Sequence, residues 1–318
     1  MQNLSPSIRH LRDLIAIPSV NPMGRDDLPP EIVGEHAVAE HLSRALGKLG
    51  LDAALVGEGG RTSVVAEARA TNAMDTLLVA SHIDTVPVDG MEIDPFDPAI
   101  EGGRVLGRGS CDTKAGMAAL LEALSRVLEN GRLARNVIIV GEADEELSSI
   151  GVHDVLKYLG SRRPDWVLAT EPTGLRLINA HKGVVHTQVC AHGRACHSSD
   201  PTQGQNAIVL LAKAILSIDE SARVFTDHPH PELGPATLSV GIVHGGQAPN
   251  IVPDEARIWV DRRTLPDETP AIVQEQIEAA IRSAGVESQV VVESCSEEKP
   301  PLHTDASSIA VGATADAL

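Results

Sequence analysis

The chain has 318 residues, with 26 Lys and Arg against 44 Asp and Glu, and a formal net charge of −18. This charge argues against nucleic acid and anionic membranes as partners, because both repel an acidic surface. Apolar residues make up 42% of the chain and aromatic residues only 2%, so the hydrophobic cores must consist mainly of Leu, Val, Ile and Ala. At about 150 residues per domain, the length predicts two domains.

The cysteines indicate a reducing compartment. Cys111, Cys190, Cys196 and Cys295 form no C-x-x-C pair and no dense framework, which is typical of a reduced cytoplasmic protein. The N-terminal residues lack a basic region followed by a long apolar one, so we predict no signal peptide. No apolar run has the length that spans a bilayer. We therefore expect a cytoplasmic protein.

The first 176 residues alternate between helical and strand patterns. Apolar residues at helical spacing predict helices over 6–17, over 31–50, where Gly50 ends the pattern, and over 113–130. Short β-branched segments predict strands at TSVVAEA, TLLVASH, NVIIVGE and WVLATEP. This alternation is typical of an α/β fold with a mostly parallel sheet.

The pattern changes after about residue 176. The segment VVHTQVCAHG alternates as a half-exposed strand does, and a helix is predicted over 204–218. The strands ATLSVGIVHGG and EARIWVDRRT follow, and then a helix near 269–284. Strand, helix, two strands and helix predict a separate α+β unit over 177–286.

Acidic and histidine side chains follow the predicted strands of the first part and open one of its helices. They are His82, Asp84, Asp112, Glu145, Glu146 and Glu171. Sites in open α/β sheets lie outside the carboxyl ends of the strands, so several of these side chains are expected to converge. Histidine with carboxylate oxygens suits Zn²⁺ or a similar ion. A single such residue is more often structural or solvated, but several at successive element ends favour a site.

These segments resemble motifs of the zinc-dependent aminoacylase, deacylase and carboxypeptidase family, which includes acetylornithine deacetylase, succinyl-diaminopimelate desuccinylase and glutamate carboxypeptidase. SHIDTVP is similar to the first motif, and DPFDPAIEGGRVLGRGSCDTKAG to the second, with Thr113 and Ala115 replacing a Met and a Gly. ADEELSSIG resembles the paired-glutamate motif and ATEPT the fourth. AHGRACHSSDPTQGQNAI and GGQAPNIVPDEARIWVDRRTLP resemble the inserted domain. The resemblance covers nearly the whole chain.

The resemblance implies a metal centre with two Zn²⁺ ions, for which Co²⁺ is a possible substitute. His82, Asp112 and Glu171 would bind one ion, and Asp112 would bridge to a second that Glu146 also holds. Glu145 would bind no metal and would act as the general base. The adjacent glutamates therefore have different implied roles: one is neutralised by metal, and the other carries a proton.

Asp84 follows His82 by two residues, and the resemblance implies that it orients the imidazole through the second ring nitrogen. A local salt bridge is the alternative role for this carboxylate.

The resemblance also implies substrate contacts from the inserted domain. His197 would bind the scissile carbonyl oxygen in the active site of a partner subunit. Without the resemblance, the local sequence predicts only an exposed loop histidine at this position. Asn250 and Arg263 resemble positions that bind the substrate carboxylate or carbonyl, and Arg262 is a rival to Arg263. The other histidines of this part match no ligand position and are expected at the surface or in structural roles. They are His181, His186, His192, His228, His230 and His244.

The implied fold is an α/β zinc-hydrolase catalytic domain over 1–176 with an inserted α+β, ferredoxin-like dimerisation domain over 177–286. Residues 287–318 would then return to the catalytic domain. The family carries its last metal-ligand histidine beyond this point, and His303 lies in a short connector that precedes that region. We therefore expect a truncated form of the family, and a natural short form with one metal is the alternative.

The predicted reaction is hydrolysis of the amide bond of an N-acyl amino acid, within amino-acid metabolism and by a homodimer. A carboxypeptidase or dipeptidase of the same family is an alternative, and a truncated, non-catalytic, metal-binding dimer is another. Glu171 stands where some aminopeptidase relatives use Asp, which favours the deacylase and carboxypeptidase members. The sequence does not identify the acyl group.

Overall fold

The computed structural model describes residues 4–227 and 229–317. The chain folds into two units, the first ending at Leu175 and the second beginning at Arg176. His228, one of the histidines with no predicted ligand role, lies outside the described residues. Within the described ranges, no helix is both long enough and apolar enough to cross a bilayer.

The first unit is built around a five-stranded sheet. Its helices are α1 (Pro6–Ile15), α2 (His36–Lys48), α3 (Lys114–Glu129) and α4 (Ile150–Leu159), and a 3₁₀ turn covers Pro30–Ile32. Its strands are β1 (Ala53–Val56), β2 (Ser63–Ala68), β3 (Thr76–His82), β4 (Ala99–Glu101), β5 (Arg104–Leu106), β6 (Asn136–Glu142) and β7 (Trp166–Ala169).

The strand order of this sheet is β1-β2-β6-β3-β7. Strands β6, β3 and β7 are parallel neighbours, whereas β2 runs antiparallel to both β1 and β6. The α/β class is confirmed, but the sheet is mixed, because β2 is antiparallel to both of its neighbours. A short loop joins β1 to β2, and a short connection allows only an antiparallel pair.

Helices cover both faces of the first sheet. On one face, Leu14, Leu42 and Leu121 of the first three helices are buried with Val64 and Ile139 of the sheet. On the other face, α4 contributes Val155 and Leu159 to a smaller cluster around Val65, Ile138 and Val140 of β2 and β6. Because the central strands are covered on both sides, they consist of nearly continuous apolar runs.

The second unit has its own four-stranded sheet. The strands of the whole unit are β8 (Ala180–His181), β9 (Gly183–His192), β10 (Cys196–His197), β11 (Thr237–Gly245), β12 (Ile251–Val252), β13 (Glu255–Thr264), β14 (Val290–Lys299) and β15 (Leu302–His303). Its helices are α5 (Ala207–Ser221), α6 (Pro270–Ser283) and α7 (Ile309–Ala315), with 3₁₀ turns at Pro201–Gln203 and Ala222–Asp227. The sheet order is β11-β13-β9-β14, with every pair antiparallel.

Residues beyond 286 belong to the second unit, which corrects the predicted boundary. Strand β14 pairs with β9 along its length, and β15 pairs with β8 through Leu302 and His181. Val290 and Val292 explain this placement, because both pack into the core of the second sheet. The four-stranded sheet and its two helices therefore follow the order strand, helix, two strands, helix and strand, one strand more than the sequence pattern indicated.

Candidate metal centre

Three predicted metal ligands meet at one edge of the first sheet. Strands β3 and β6 are parallel and in register, with His82 opposite Glu142 at their carboxyl ends. Asp112 lies just before α3, and Glu146 lies in the loop that follows β6. Ligand atoms of His82, Asp112 and Glu146 all lie within 4.8 Å of one another. The topology thus brings one imidazole and two carboxylates together, as parallel strand ends do.

The His82 ring is held from one side and faces a carboxylate on the other. The residue is only 2% exposed. Its Nδ1 lies 3.0 Å from the main-chain oxygen of Asp84 and 3.5 Å from Oδ1 of the same residue, so Nδ1 carries the hydrogen. Its Nε2 lies 2.9 Å from Oδ1 of Asp112. Two acceptor atoms at this distance repel unless a proton or a metal ion supplies positive charge.

The same charges act on the protonation of the ring. Burial opposes protonation of His82, but Asp84, Asp112 and Glu171 outweigh burial and raise the pKa to about 10. Glu171 therefore lies within electrostatic reach of His82, although the group within 4.8 Å consists of His82, Asp112 and Glu146. The field that holds a proton on the ring is the field that attracts a metal cation.

Asp84 links the end of β3 to the acidic loop. It is fully buried and accepts hydrogen bonds of 3.1 Å from the backbone N–H groups of Glu145 and Glu146. Burial alone would raise the pKa of Asp84, but His82, Asn21 and the Glu146 N–H lower it below its ordinary value. The carboxylate therefore stays ionised and fixes both the imidazole and the two adjacent glutamates.

Asn21 is a supporting residue that the sequence did not reveal. Its Nδ2 donates to Oδ2 of Asp84 and to Oδ1 of Asp144, each at 2.9 Å. Its Oδ1 accepts from Arg61 at 3.1 Å, and Arg61 pairs with the buried Glu35. These contacts cross long stretches of chain, and no local pattern around Asn21 marks it. Asn21 holds the loop in place, including Asp144 at a φ of 61°.

The carboxylates of the acidic loop crowd one another. Burial and the nearby Asp112, Asp84 and Glu145 carboxylates raise the pKa of Glu146, while His82 opposes the rise. Glu145 and Glu146 are both half-buried. A cation at this edge would relieve the repulsion between neighbouring carboxylates, which is the physical reason for placing adjacent acids here.

The start of α3 is anchored by residues of the second motif. Lys114 is buried and donates to the carbonyl oxygens of Leu14 and Ile17 at 2.9 and 2.8 Å, and burial lowers its pKa to about 7. Thr113 donates to the carbonyl oxygen of Thr170. The threonine that replaces the Met of the family motif therefore makes a polar contact that a Met side chain could not make. These bonds fix Asp112 at the helix start and bring the chain before Glu171 close to it.

His197 and Asn250 are adjacent in the second unit. His197 on β10 pairs with Ile251 of β12, and the N–H of Ser198 donates to the carbonyl oxygen of Asn250 at 3.0 Å. Both residues are exposed. The N–H of Ser199 donates to Nδ1 of His197 at 3.1 Å, so Nε2 carries the hydrogen in the neutral ring and can donate.

The structure separates the two rival arginines. Arg262 is fully buried, stacks 3.8 Å from the Phe225 ring and pairs with Glu268. Arg263 is half-exposed and donates from Nε to Asp261 at 2.9 Å. Arg262 follows the inward period of β13 and Arg263 the outward one. Of the two, Arg263 is the arginine that a substrate can reach.

Arg262→Ala is expected to lower the free energy of unfolding by about 3 kcal/mol, because it leaves Glu268 without its partner and removes the stacking on Phe225. Arg263→Ala is the matched control and is expected to change stability by less than about 0.5 kcal/mol. Denaturant titration of both variants measures the difference. Equal losses would contradict the structural role of Arg262.

Comparison with known proteins agrees with the geometry. The peptidase dimerisation domain family matches residues 179–289, and peptidase family M28 matches residues 63–170. An acetylornithine deacetylase of Pectobacterium carotovorum is 31% identical over 273 residues, which are 83% of this chain and 69% of that protein. A peptidase M20 domain-containing protein of Schizosaccharomyces pombe is 36% identical over 199 residues, 60% of this chain and 45% of that protein. The chain thus spans about half the length of the first curated relatives it matches.

A solved structure extends the likeness to the whole fold. The M20 family metallo-carboxypeptidase of Sulfolobus solfataricus superposes with a TM-score of 0.74 at 23% identity, over 98% of this chain and 82% of that chain. At this identity the likeness shows the fold alone. Together with the deacetylase relative, these findings confirm the resemblance in the motifs, and the chain belongs to the M20 family of aminoacylases, deacylases and carboxypeptidases.

Proposed function

We propose that this protein is a metal-dependent hydrolase that cleaves the amide bond of an N-acyl amino acid. The observation that carries the proposal is the close approach of His82 Nε2 to an Asp112 oxygen, with Glu146 in the same group and Glu145 beside it. The two acceptors face each other at an acidic edge of the sheet, where His82 is buried and the Asp112 side chain is partly exposed. That arrangement suits a bound cation better than any purely structural role.

The donor set fits a divalent metal. One neutral imidazole nitrogen with carboxylate oxygens is a typical ligand set for catalytic Zn²⁺, and Co²⁺ accepts the same ligands. The hydrogen on Nδ1 is held by Asp84, which leaves Nε2 for the metal. We assign His82, Asp112 and Glu171 to one Zn²⁺, and Asp112 and Glu146 to a second.

When bound, a divalent ion supplies Lewis acidity, which polarises a carbonyl group and acidifies water. Glu145 has the position of the general base: its carboxylate would accept a proton from the attacking water and deliver it to the leaving amine. Its backbone is fixed by the bond to Asp84, so the carboxylate is positioned without being a ligand. The Asp112 side chain is 56% exposed, which leaves the centre open to substrate.

The second unit has the features of a dimer interface. Strand β11 lies at the edge of its sheet, where backbone groups are available for pairing. Exposed apolar side chains lie on β11 and α5, namely Ile242, Val243, Ile208, Val209 and Leu216. A groove of about 220 Å³ runs between these two elements, lined by Leu211, Ile215 and Val243 among others. We propose that this face joins two copies of the chain in a symmetric dimer.

The spacing within β13 supports substrate contacts from two chains. Arg263 lies eight residues beyond Glu255, about 26 Å along an extended strand, whereas Asn250 and His197 lie near the Glu255 end through β12. Arg263 and His197 therefore lie near opposite ends of β13. We propose that His197 serves the site of the partner subunit and that Arg263 and Asn250 bind the substrate.

A carboxypeptidase or dipeptidase of the same family is the second candidate, because Glu171 stands where some aminopeptidase relatives use Asp. Both reactions use the same centre, because each hydrolyses an amide next to an amino acid. They differ in the group on the acyl side of the amide, which the described side chains do not distinguish.

Hydrolysis of N-acetylornithine and N-succinyl-diaminopimelate is expected to exceed that of dipeptides in kcat/KM, because an acetylornithine deacetylase aligns with 83% of this chain and 69% of its own length. The assay uses the purified full-length gene product, and chromatographic quantification of each released amino acid makes the rates on all substrates comparable. Treatment with a chelator should remove the activity, and Zn²⁺ or Co²⁺ should restore it. Hydrolysis of dipeptides alone would favour the second candidate, and activity that survives complete metal removal would overturn the proposal.

A further inference from the structure

The helix-free face of the second sheet carries a cluster that no motif of the sequence assigns. Helices α5 and α6 cover the face that holds Val189, Ala191 and Ala256. Because side chains alternate along a strand, Cys190 and His192 of β9 share the opposite face. His192 had only a surface or structural role in the sequence analysis.

Neighbouring strands add carboxylates to this pair. In the register of β13 and β9, Glu255 lies opposite His192 and Arg257 lies opposite Cys190. The register of β14 and β9 shifts between Val292 and Ser294, which makes Glu293 the extra residue. Irregularities of this kind redirect a side chain, and here Glu293 is brought to the cysteine. A Cys190 sulfur, a His192 nitrogen and a Glu293 oxygen all lie within 4.8 Å of one another.

The cluster already attracts a cation. Arg257 lies 3.2 Å from Glu255 and 3.9 Å from Glu293. The guanidinium is 38% exposed, and it also hydrogen-bonds the Cys190 thiol. An arginine with this exposure can move to solvent when a more strongly bound cation takes its place between the two carboxylates.

The donor atoms indicate which cation fits. Sulfur together with imidazole nitrogen and carboxylate oxygen selects Zn²⁺ or a similar transition metal and disfavours Mg²⁺ and Ca²⁺, which prefer oxygen alone. Burial and the Glu293 carboxylate raise the pKa of the Cys190 thiol, while Arg257 opposes the rise, so positive charge favours formation of the thiolate. A metal ion provides it, and binding releases the proton.

We propose that Cys190, His192 and Glu293 form a Zn²⁺ site that is separate from the His82 centre, with Glu255 available as a fourth ligand. The site joins β13, β9 and β14 through their side chains. A metal that binds only the folded sheet stabilises the second unit by mass action. The proposal does not depend on catalysis, since the cluster lies wholly in the second unit and uses none of the residues assigned to hydrolysis.

Co²⁺ titration of the full-length, metal-free protein under reducing conditions tests the site. Cobalt bound to a thiolate gives a sulfur-to-metal charge-transfer absorption band, whereas the His82 centre contains no sulfur. The band should therefore appear in the wild type and persist in His82→Ala. It should be lost in Cys190→Ser and kept in Cys196→Ser, the matched cysteine control in the same unit. Excess Zn²⁺ should displace the cobalt and abolish the band.

Three further variants keep the test decisive if Cys190→Ser fails to fold. His192→Ala and Glu293→Gln alter exposed residues, and each should shift the titration to higher Co²⁺ concentration. Arg257→Gln should shift it to lower concentration, because a competing positive charge is removed. The proposal is overturned if the folded wild type shows no charge-transfer band, if the band survives Cys190→Ser, or if the His192, Glu293 and Arg257 variants leave the titration unchanged.

Discussion

Glu145→Ala is expected to reduce turnover by about 10²–10⁴-fold while leaving the metal content unchanged. The carboxylate of Glu145 is the proposed proton carrier, whereas His82, Asp112 and Glu146 form the close group of proposed ligands. The backbone N–H of Glu145, which donates to Asp84, is preserved by the substitution. The loop should therefore keep its shape. Elemental analysis and steady-state kinetics of the same preparation separate loss of metal from loss of chemistry.

Glu146→Ala and His82→Ala are the matched variants for this prediction. Glu146→Ala should weaken the second metal, and His82→Ala should abolish tight binding of the first, because each removes a proposed ligand. Both should lose activity together with metal, unlike Glu145→Ala. If Glu145→Ala and Glu146→Ala lost zinc to the same extent and activity to the same extent, the division of roles between the adjacent glutamates would be wrong.

The sequence predicted that His82 and Glu146 would lie close together, because strand ends in a parallel sheet meet at one edge. His82 ends β3 and Glu146 follows β6, and those strands are neighbours in register. Asn21 could not be located in this way. Its partners lie 63 and 123 residues away along the chain, and hydrogen bonds over such separations leave no local periodicity.

The second sheet shows a different limit of sequence patterns. Strand β14 was not predicted, because its apolar residues Val290 and Val292 are followed by a polar run and an irregular register. Regular alternation is the main signal of a half-buried strand, and a bulge disrupts it. The choice between Arg262 and Arg263 depended on the same alternation. Val260, Arg262 and Thr264 share the buried side of β13, so Arg262 occupies a core position despite its charge.

His197→Ala is expected to inactivate the enzyme in a way that a partner chain can rescue. The proposed roles place Glu145 in the site of its own chain and His197 in the site of the other. A preparation of His197→Ala alone lacks the carbonyl-binding histidine in every site, and a preparation of Glu145→Ala alone lacks the base. In a heterodimer of the two, the Glu145→Ala chain donates an intact His197 to the site that still contains Glu145.

Co-expression of the two variants with different affinity tags, followed by two-step purification, isolates that heterodimer. One of its two sites is complete, so its activity should approach half that of the wild type, while each parent homodimer stays inactive. Ser199→Ala is the matched control. It removes the hydroxyl that contacts His197 Nδ1 but keeps the backbone N–H that fixes the tautomer, and it should retain most of the activity. A near wild-type His197→Ala homodimer would mean that His197 is only an exposed histidine. An inactive variant without rescue in the purified heterodimer would place His197 in the site of its own chain, and the exchange of residues between subunits would have to be abandoned.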